Sequence, residues 1–415
     1  MKLSVEQLRA IVKGKEIYIW GAMIVGQGIC RALLRHNMIP TSFVDSNASL
    51  QDTKALGLNI GSSSALLEKG ANGAHVIIIS SGHYNLEIEK ECLESGLKKN
   101  IDYVMCSDLN DVDPSVDISG VCNLKCISCP RGNIAEQPPV GFITAKSYKL
   151  VLDKLLRELP FLGNMQFYAW GEPLLNKELP QIVEMTKDAG VLSALSSNLN
   201  ATKGYEALVK AKLDWLKISC SGFSPETYEL THTGGKWKRF FKNLNQIVEL
   251  REKYHPEMSI TLNYHLYKHN VGVDYKKMEE FCQNNGLIFR PSPAYLYPMD
   301  TMRDYVDGNP LGCEATQTKD LLLMDLDQGL AKAREQKHLP CPEDRCLPID
   351  WDLKVRFCGV YFKPYIADNF LNVSVEDIMN KRFESDFCSE CMDRGLHQFT
   401  GVYLPQQTIP SENIE

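Results

Sequence analysis

The chain has 415 residues, 44% of them hydrophobic and 23% charged, with a net charge of −7. That is the make-up of an ordinary globular protein long enough for two or three domains, and with both charge signs dispersed it marks neither a nucleic-acid nor a membrane surface. The fourteen cysteines, without a secretion signal in Met1-Lys-Leu-Ser-Val-Glu-Gln-Leu, argue against a disulfide scaffold and for a cytoplasmic protein with reduced or metal-bound thiols.

Residues 1 to about 110 alternate strand and helix. Glu16–Trp20 and Ser42–Asp45 are predicted strands, 75–80 a third, and Ile101 to Met105 a short last one, with helices after the first and from about Leu86. This predicts a small parallel sheet with helices on both faces. The turn Gly21-Ala-Met-Ile-Val-Gly26 approaches a dinucleotide fingerprint, but Met23 stands where the middle glycine would admit a pyrophosphate. Asp45, at the end of the second strand, is where a ribose-binding acid would sit. The expectation is a Rossmann-like domain whose glycines serve the turn.

An Asp/Ser-rich linker, Ser107 to Ser115, leads to six further strand–helix alternations, with strands predicted near 116–121, 166–170, 192–197, 214–219, 258–266 and 287–291. Tyr148, Val151, Leu152, Leu155, Leu156 and Leu159 share one helical face. A second helix over 179–186 stops at Gly190, in the manner of a C-terminal glycine. Three cysteines fall within eight residues, Cys122-Asn-Leu-Lys-Cys126-Ile-Ser-Cys129. Three thiolates so spaced can hold three irons of a cubane cluster and leave the fourth open to a small molecule, whereas a four-cysteine ferredoxin pattern would close it. Structural zinc is the competing reading and needs a fourth ligand.

CxxxCxxC after a strand-like stretch, followed by Pro130-Arg131-Gly132, resembles the signature of radical S-adenosylmethionine (SAM) enzymes, in the branch with a C-terminal SPASM or twitch extension. The resemblance implies a partial (β/α)6 TIM-like barrel with its active face at the C-terminal ends of the strands. It also implies a [4Fe-4S] cluster on Cys122, Cys126 and Cys129, its open iron chelated by S-adenosyl-L-methionine. Further strand-end motifs extend the likeness. Trp170-Gly171-Glu172-Pro173 resembles the family's GGE edge, Ser196-Ser197-Asn198 its ribose-side string, and Ser219-Cys220-Ser221-Gly222 its Ser-x-Asp/Ser-Gly edge. By that likeness Trp170, Gly171, Glu172, Ser196, Asn198, Ser219 and Ser221 are the SAM-binding residues. Asn270 past the fifth strand is a further candidate. Ser128 departs from the family, where an aromatic residue often precedes the third cysteine.

The C-terminal third carries Cys341, Cys346, Cys358, Cys388 and Cys391 in the order of a SPASM or twitch domain. Eleven residues separate Cys341 from Leu353, which replaces the family's glycine, and four more reach Cys358. Residues 350–358 read as two short strands around a turn and Cys388-Ser-Glu-Cys391 as a thiolate hairpin. The resemblance assigns one auxiliary [4Fe-4S] cluster to Cys341, Cys358, Cys388 and Cys391, with Cys346 the alternate first ligand; zinc on the same thiols is the competing reading. Cys30, Cys92 and Cys282 are expected to be buried small hydrophobes.

The expected division is therefore a Rossmann-like domain over 1–110, a radical SAM core over 111–305 and an iron–sulfur domain over 306–415, an α/β protein throughout. The implied activity is reductive cleavage of SAM and hydrogen abstraction from a substrate carbon. The leading reaction is dehydrogenation of a sugar, aminocyclitol or polyol by a radical SAM oxidoreductase, with the auxiliary cluster as electron acceptor and a flavodoxin- or ferredoxin-type reductant. A peptide-modifying maturase or radical epimerase is the alternative, and a non-catalytic zinc- and nucleotide-binding protein the alternative of another class. Tyr264, His265, Arg290, Tyr295 and Tyr297 are candidate substrate contacts. Only one of Tyr264 and His265 can face inward, because they alternate on a strand.

Overall fold

A computed structural model describes residues 2–71, 73–81, 84–134, 137 and 140–401. The chain forms two compact units. The first comprises residues 1–113 with 152–165 and 185–193; the second comprises 114–151, 166–184 and 194–415.

The first unit is built on a six-stranded sheet of β1 (Glu16–Trp20), β2 (Ser42–Asp45), β3 (Lys54–Ala55), β4 (Leu58–Ser62), β5 (His75–Ile79) and β6 (Tyr103–Met105), in the order β3-β4-β2-β1-β5-β6. All its pairs are parallel except the β3–β4 hairpin. Strict alternation sends Ile17, Ile19, Phe43, Val76 and Ile78 into the core on one face and Tyr18, Trp20, Val44, Ile77 and Ile79 into the core on the other. A strand covered on both faces must be apolar at every position, and Ile-Tyr-Ile-Trp and Val-Ile-Ile-Ile are. Arg35, on the helix Ile24–Arg35, gathers the appended segments by donating to the carbonyls of Gly190 at 2.6 Å, Pro160 at 3.1 Å and Leu162 at 2.6 Å.

The first unit's fingerprint-like residues are used internally. Gly21 has φ +115°, and a Cβ there would lie 2.5 Å from the Ser80 carbonyl; on Gly26 it would lie 1.8 Å from the Gly21 carbonyl. Both carboxylate oxygens of Asp45 accept backbone N–H groups, from Ala22 at 2.9 Å and Asn47 at 2.9 Å. The glycines close the turn and the acid caps it.

The second sheet, most of whose residues belong to the second unit, has the strands β7 (Asp113–Val116), β8 (Asn164–Phe167), β9 (Leu192–Ser197), β10 (Trp215–Cys220), β11 (Ser259–Leu266) and β12 (Ile288–Pro293), neighbours in chain order, followed by β13 (Cys346–Ile349), β14 (Val355–Arg356) and β15 (Tyr365–Ala367) on the β7 edge. Pairing is parallel from β7 to β8 and from β9 through β12, and antiparallel among β13, β14 and β15. Six parallel strands alternating with helices give the α/β architecture expected from the sequence. The first strand ends at Val116, earlier than the predicted 116–121. Asp117 to Val121 leaves the ladder because it serves the site: Asp117 accepts the Trp170 N–H, and the Val121 carbonyl accepts from Glu172 N at 2.8 Å.

Two other local expectations change. Cys388 and Cys391 lie on the helix Asp386–Asp393, capped by Ser385, whose hydroxyl accepts from Phe387 N at 3.1 Å; they are not in a hairpin. Leu353, in the glycine position, holds φ +71° in the turn between β13 and β14. The backbone keeps a conformation that favours glycine although the residue is leucine. Among the described residues no helix is long and apolar enough to cross a membrane.

Candidate active site and thiol centres

Past β7 the chain turns through the three-cysteine loop, which is pinned by backbone bonds from Lys125 N to the Thr233 carbonyl at 2.8 Å and from Ile127 N to the Thr231 carbonyl at 3.3 Å. Cys129 caps the short helix Pro130–Asn133, with proline at its first position. Gly132 is forced: a Cβ there would sit 2.2 Å from the Cys126 carbonyl. The result is that Cys122, Cys126 and Cys129 all line one cavity of about 310 Å³ at the C-terminal ends of the strands.

All three thiols are free. Burial pushes Cys122 up to about 12, Cys129 up to about 11 and Cys126 well above its ordinary value, with neighbouring thiols adding to the rise of Cys122 and Cys126. Three half-buried thiols that resist ionisation and line one cavity are a donor set awaiting positive charge. An iron cluster supplies it, and N–H groups already face the first sulfur: Leu124 N lies 3.5 Å and Asn198 Nδ2 3.7 Å from Cys122 Sγ.

Gly171 defines the next edge. A Cβ on it would meet the Ser119 carbonyl at 1.4 Å, so the second strand end can approach the cysteine loop only through glycine. Trp170 takes the place of the family's first glycine. Its N–H donates to Asp117 Oδ2 at 3.2 Å, its carbonyl accepts from Arg131, and its ring lies 4.9 Å from Tyr297 and under the Arg356 guanidinium at 5.3 Å. Arg356 in turn donates to Asp350 at 2.8 Å. Asp117 is pushed up to about 7, first by burial and then by Asp350.

Glu172 joins two strand ends. It is 1% exposed, and its oxygens accept from Leu174 N at 3.2 Å, Ser197 Oγ at 2.8 Å and Asn198 N at 2.8 Å. Burial still holds its carboxyl up at about 7. Its role is to clamp the GEP edge to the Ser-Ser-Asn edge.

Of the seven residues expected to bind cofactor, Trp170, Gly171, Glu172, Ser196, Asn198 and Ser219 line the cavity. Ser221 does not; it is fully buried, with its hydroxyl bonded to Thr231 and to His232 Nδ1 at 2.7 Å. Asn270 is also internal, joining the Ser221 carbonyl at 2.8 Å to the His265 carbonyl at 2.9 Å. His265, Tyr295 and Tyr297 reach the cavity; Tyr264 packs away from it against Tyr275 and Phe289. Arg290 is exposed. Sequence reasoning missed Lys217, Tyr267 and His232 on the wall. The Tyr267 hydroxyl donates to Ser128 at 3.1 Å, so an aromatic ring stands beside the third cysteine although it comes from the end of β11.

The C-terminal cysteines form a second group. The donor atoms of Glu343, Cys346 and Cys358 lie within 4.8 Å of one another. Burial raises Cys341, with Cys391 and Cys346 adding to the rise, and burial raises Cys388, with Cys346 adding. The Tyr361 hydroxyl meets Cys391 Sγ at 3.5 Å. Among the described residues Glu343, Cys346 and Cys358 are the donors brought this close, so Cys346, the alternate ligand, is the one beside Cys358. This centre borders the cavity through Tyr297, whose hydroxyl donates to the Gly359 carbonyl at 2.9 Å, and through Tyr295, packed 5.3 Å from Tyr297. Cys30, Cys92 and Cys282 are buried, as expected, the first two within the apolar clusters on either face of the first sheet.

Comparison with known proteins places residues 116–270 in the family described as the Radical SAM superfamily. The chain is similar to a probable GTP 3′,8-cyclase of Methanococcus maripaludis strain C5, 27% identical over 144 residues, 32% of this chain and 45% of that protein. It is also similar to the S-adenosyl-L-methionine-dependent 2-deoxy-scyllo-inosamine dehydrogenase of Niallia circulans, 33% identical over 73 residues, 18% of this chain and 28% of that protein. The chain thus spans less than half the length of either of these curated relatives. Among solved structures, Streptococcus suis SuiB bound to precursor peptide SuiA aligns with a TM-score of 0.46 at 13% identity, over 68% of this chain and 67% of that one.

Proposed function

We propose a specific reaction for this chain, which belongs to the radical SAM superfamily through residues 116–270: dehydrogenation of a sugar, aminocyclitol or polyol derivative. Its cofactors are a [4Fe-4S] cluster and S-adenosyl-L-methionine. Cys122, Cys126 and Cys129 would hold the cluster, and the edges at Trp170–Glu172, Ser196, Asn198 and Ser219 would hold the cofactor's polar groups. When bound, the pair supplies a 5′-deoxyadenosyl radical that removes one hydrogen atom from a substrate carbon.

The chain's own residues do the rest. Gly171 and the Glu172 clamp fix the cofactor edge against the cysteine loop. Trp170, Tyr295 and Tyr297 wall the cavity with aromatic surface, limiting water and aiming the substrate. Loss of a second electron and a proton then completes the oxidation to a carbonyl.

The observation that carries this reading is the C-terminal thiol centre bordering the cavity across Tyr295 and Tyr297. We assign it an auxiliary [4Fe-4S] cluster as electron acceptor, on Cys358, Cys388 and Cys391 with Cys341 or Cys346. An epimerase would need a thiol to return hydrogen, and among the described residues no cysteine lines the cavity besides Cys122, Cys126 and Cys129. The three-part division at 110 and 305, a cytoplasmic location and a flavodoxin- or ferredoxin-type reductant belong to the same proposal.

The test is anaerobic incubation of reconstituted protein with SAM, dithionite and C-deuterated polyols. Deuterium in 5′-deoxyadenosine with a product two hydrogens lighter supports dehydrogenation. Deuterium transfer with an isomeric product in which hydrogen has replaced the deuterium, one mass unit lighter than the labelled substrate, contradicts it.

A further inference from the structure

The side chains on the cavity wall narrow the substrate class, and this step rests on the dehydrogenase reading for the sugar but not for the charge. β10 alternates: Leu216, Ile218 and Cys220 are fully buried, whereas Lys217 and Ser219 face the cavity. Lys217 pairs in register with Ser196 on β9 and Thr261 on β11. It therefore lies one alternation, about 6.6 Å along the strand, further from the cysteine-bearing strand ends than Ser219.

Its ammonium sits 5.5 Å from the centroid of the Tyr168 ring, and among the described residues it forms no ion pair. Glu172, the carboxylate on the wall, is committed to three donors. Nor do the imidazoles supply an anion. Burial holds His232 down at about 3, with His265 adding to the fall, and His265 down at about 4, with Lys217 adding. Burial, and then the nearby Arg290 guanidinium, also lower Lys217. A cation drawn out of water without a counter-ion is costly unless a ligand brings one.

We propose that Lys217 receives an anionic group of the substrate, a carboxylate or phosphate, so that the enzyme acts on an acidic sugar or a sugar phosphate. A neutral polyol would leave the lysine unpaired, and an aminocyclitol ammonium would be repelled by it. The cofactor's own carboxylate is the other source of the same chemistry. Lys217's place below Ser219, away from the cluster loop, favours the substrate.

The experiment is anaerobic calorimetry on the reconstituted protein with SAM present, titrating glucose, glucose 6-phosphate, glucuronate and inorganic phosphate, with the SAM affinity measured separately. The anions are expected to bind at least about tenfold more tightly than glucose. Lys217→Met should erase that preference and leave SAM affinity unchanged, and Lys217→Arg should keep it, which separates loss of charge from loss of fold. The proposal is overturned if none of the anions binds the wild type, if the preference survives in Lys217→Met, or if that variant loses SAM affinity as much as anion affinity. Phosphate binding that depends on Lys217, with no sugar phosphate oxidised, would refute the sugar reading and leave the anion site standing.

Discussion

The two parallel sheets place similar residues at similar positions and use them in opposite ways. Behind β1, glycines and an acid surround a strand end, but Gly26 packs on the Gly21 carbonyl and Asp45 spends both oxygens on Ala22 and Asn47. Behind β8, Gly171 packs as tightly on Ser119, and Glu172 is as fully bonded. There, however, the closure brings three thiols, four serines, an asparagine and a lysine onto one cavity. A strand-end motif is read correctly only from what its closure leaves facing outward.

The largest expected effect comes from the glycines. Gly171→Ala and Gly26→Ala both force a carbonyl away from an impossible contact, and both should lower stability by about 1–3 kcal/mol or more. Only Gly171→Ala should also cut 5′-deoxyadenosine formation, by about 100-fold or more in the protein that remains folded. Equal loss of SAM cleavage in folded Gly26→Ala protein would break the comparison.

Next come the acids. Asp45→Ala leaves two backbone donors without their acceptor and should cost about 1–3 kcal/mol in a melting experiment, with SAM cleavage per folded molecule unchanged. Glu172→Ala frees three donors and loosens the joined edges. It should cost at least as much stability and weaken SAM binding as well. If both variants behaved alike in a SAM-binding titration, the two strand ends would not differ in function.

The smallest effect is a pH slope. Asp117, raised from 3.8 to about 7 in the folded chain, binds a proton more tightly folded than unfolded. Its share of stability is full below pH 4, falls as pH rises from about 4 to about 7, and is flat above. Asp117→Asn should make the melting temperature less pH-dependent across that window; an unchanged slope would contradict the burial argument.

Much of this was readable from the chain. β1 and β2 have the predicted bounds because their runs are apolar on both faces and end at turn residues. The helix ending before Gly190 stops where that glycine takes φ +66°. The cysteine loop and the GEP edge were legible because their spacing encodes them. Other features were set by tertiary partners. Asp117 to Val121 left the strand to serve Trp170 and Glu172. Ser221 turned inward to His232. The helix carrying Cys388 and Cys391 had its signal in Ser385-Asp386, a capping serine and a first-turn acid, which the CxxC pattern overshadowed. Lys217 had a signal too, a charge two residues before Ser219 on an alternating strand and so on the same face.

The central claim is that the three-cysteine loop carries a SAM-binding cluster distinct from the C-terminal thiol centre. The direct measurement is iron, acid-labile sulfide and 5′-deoxyadenosine formation after anaerobic reconstitution, in wild type and in the Cys122/Cys126/Cys129→Ala variant. About eight irons per chain falling to about four, with 5′-deoxyadenosine formation abolished, is the predicted result. Zinc in place of iron at both centres, or SAM cleavage that survives the triple substitution, would contradict it.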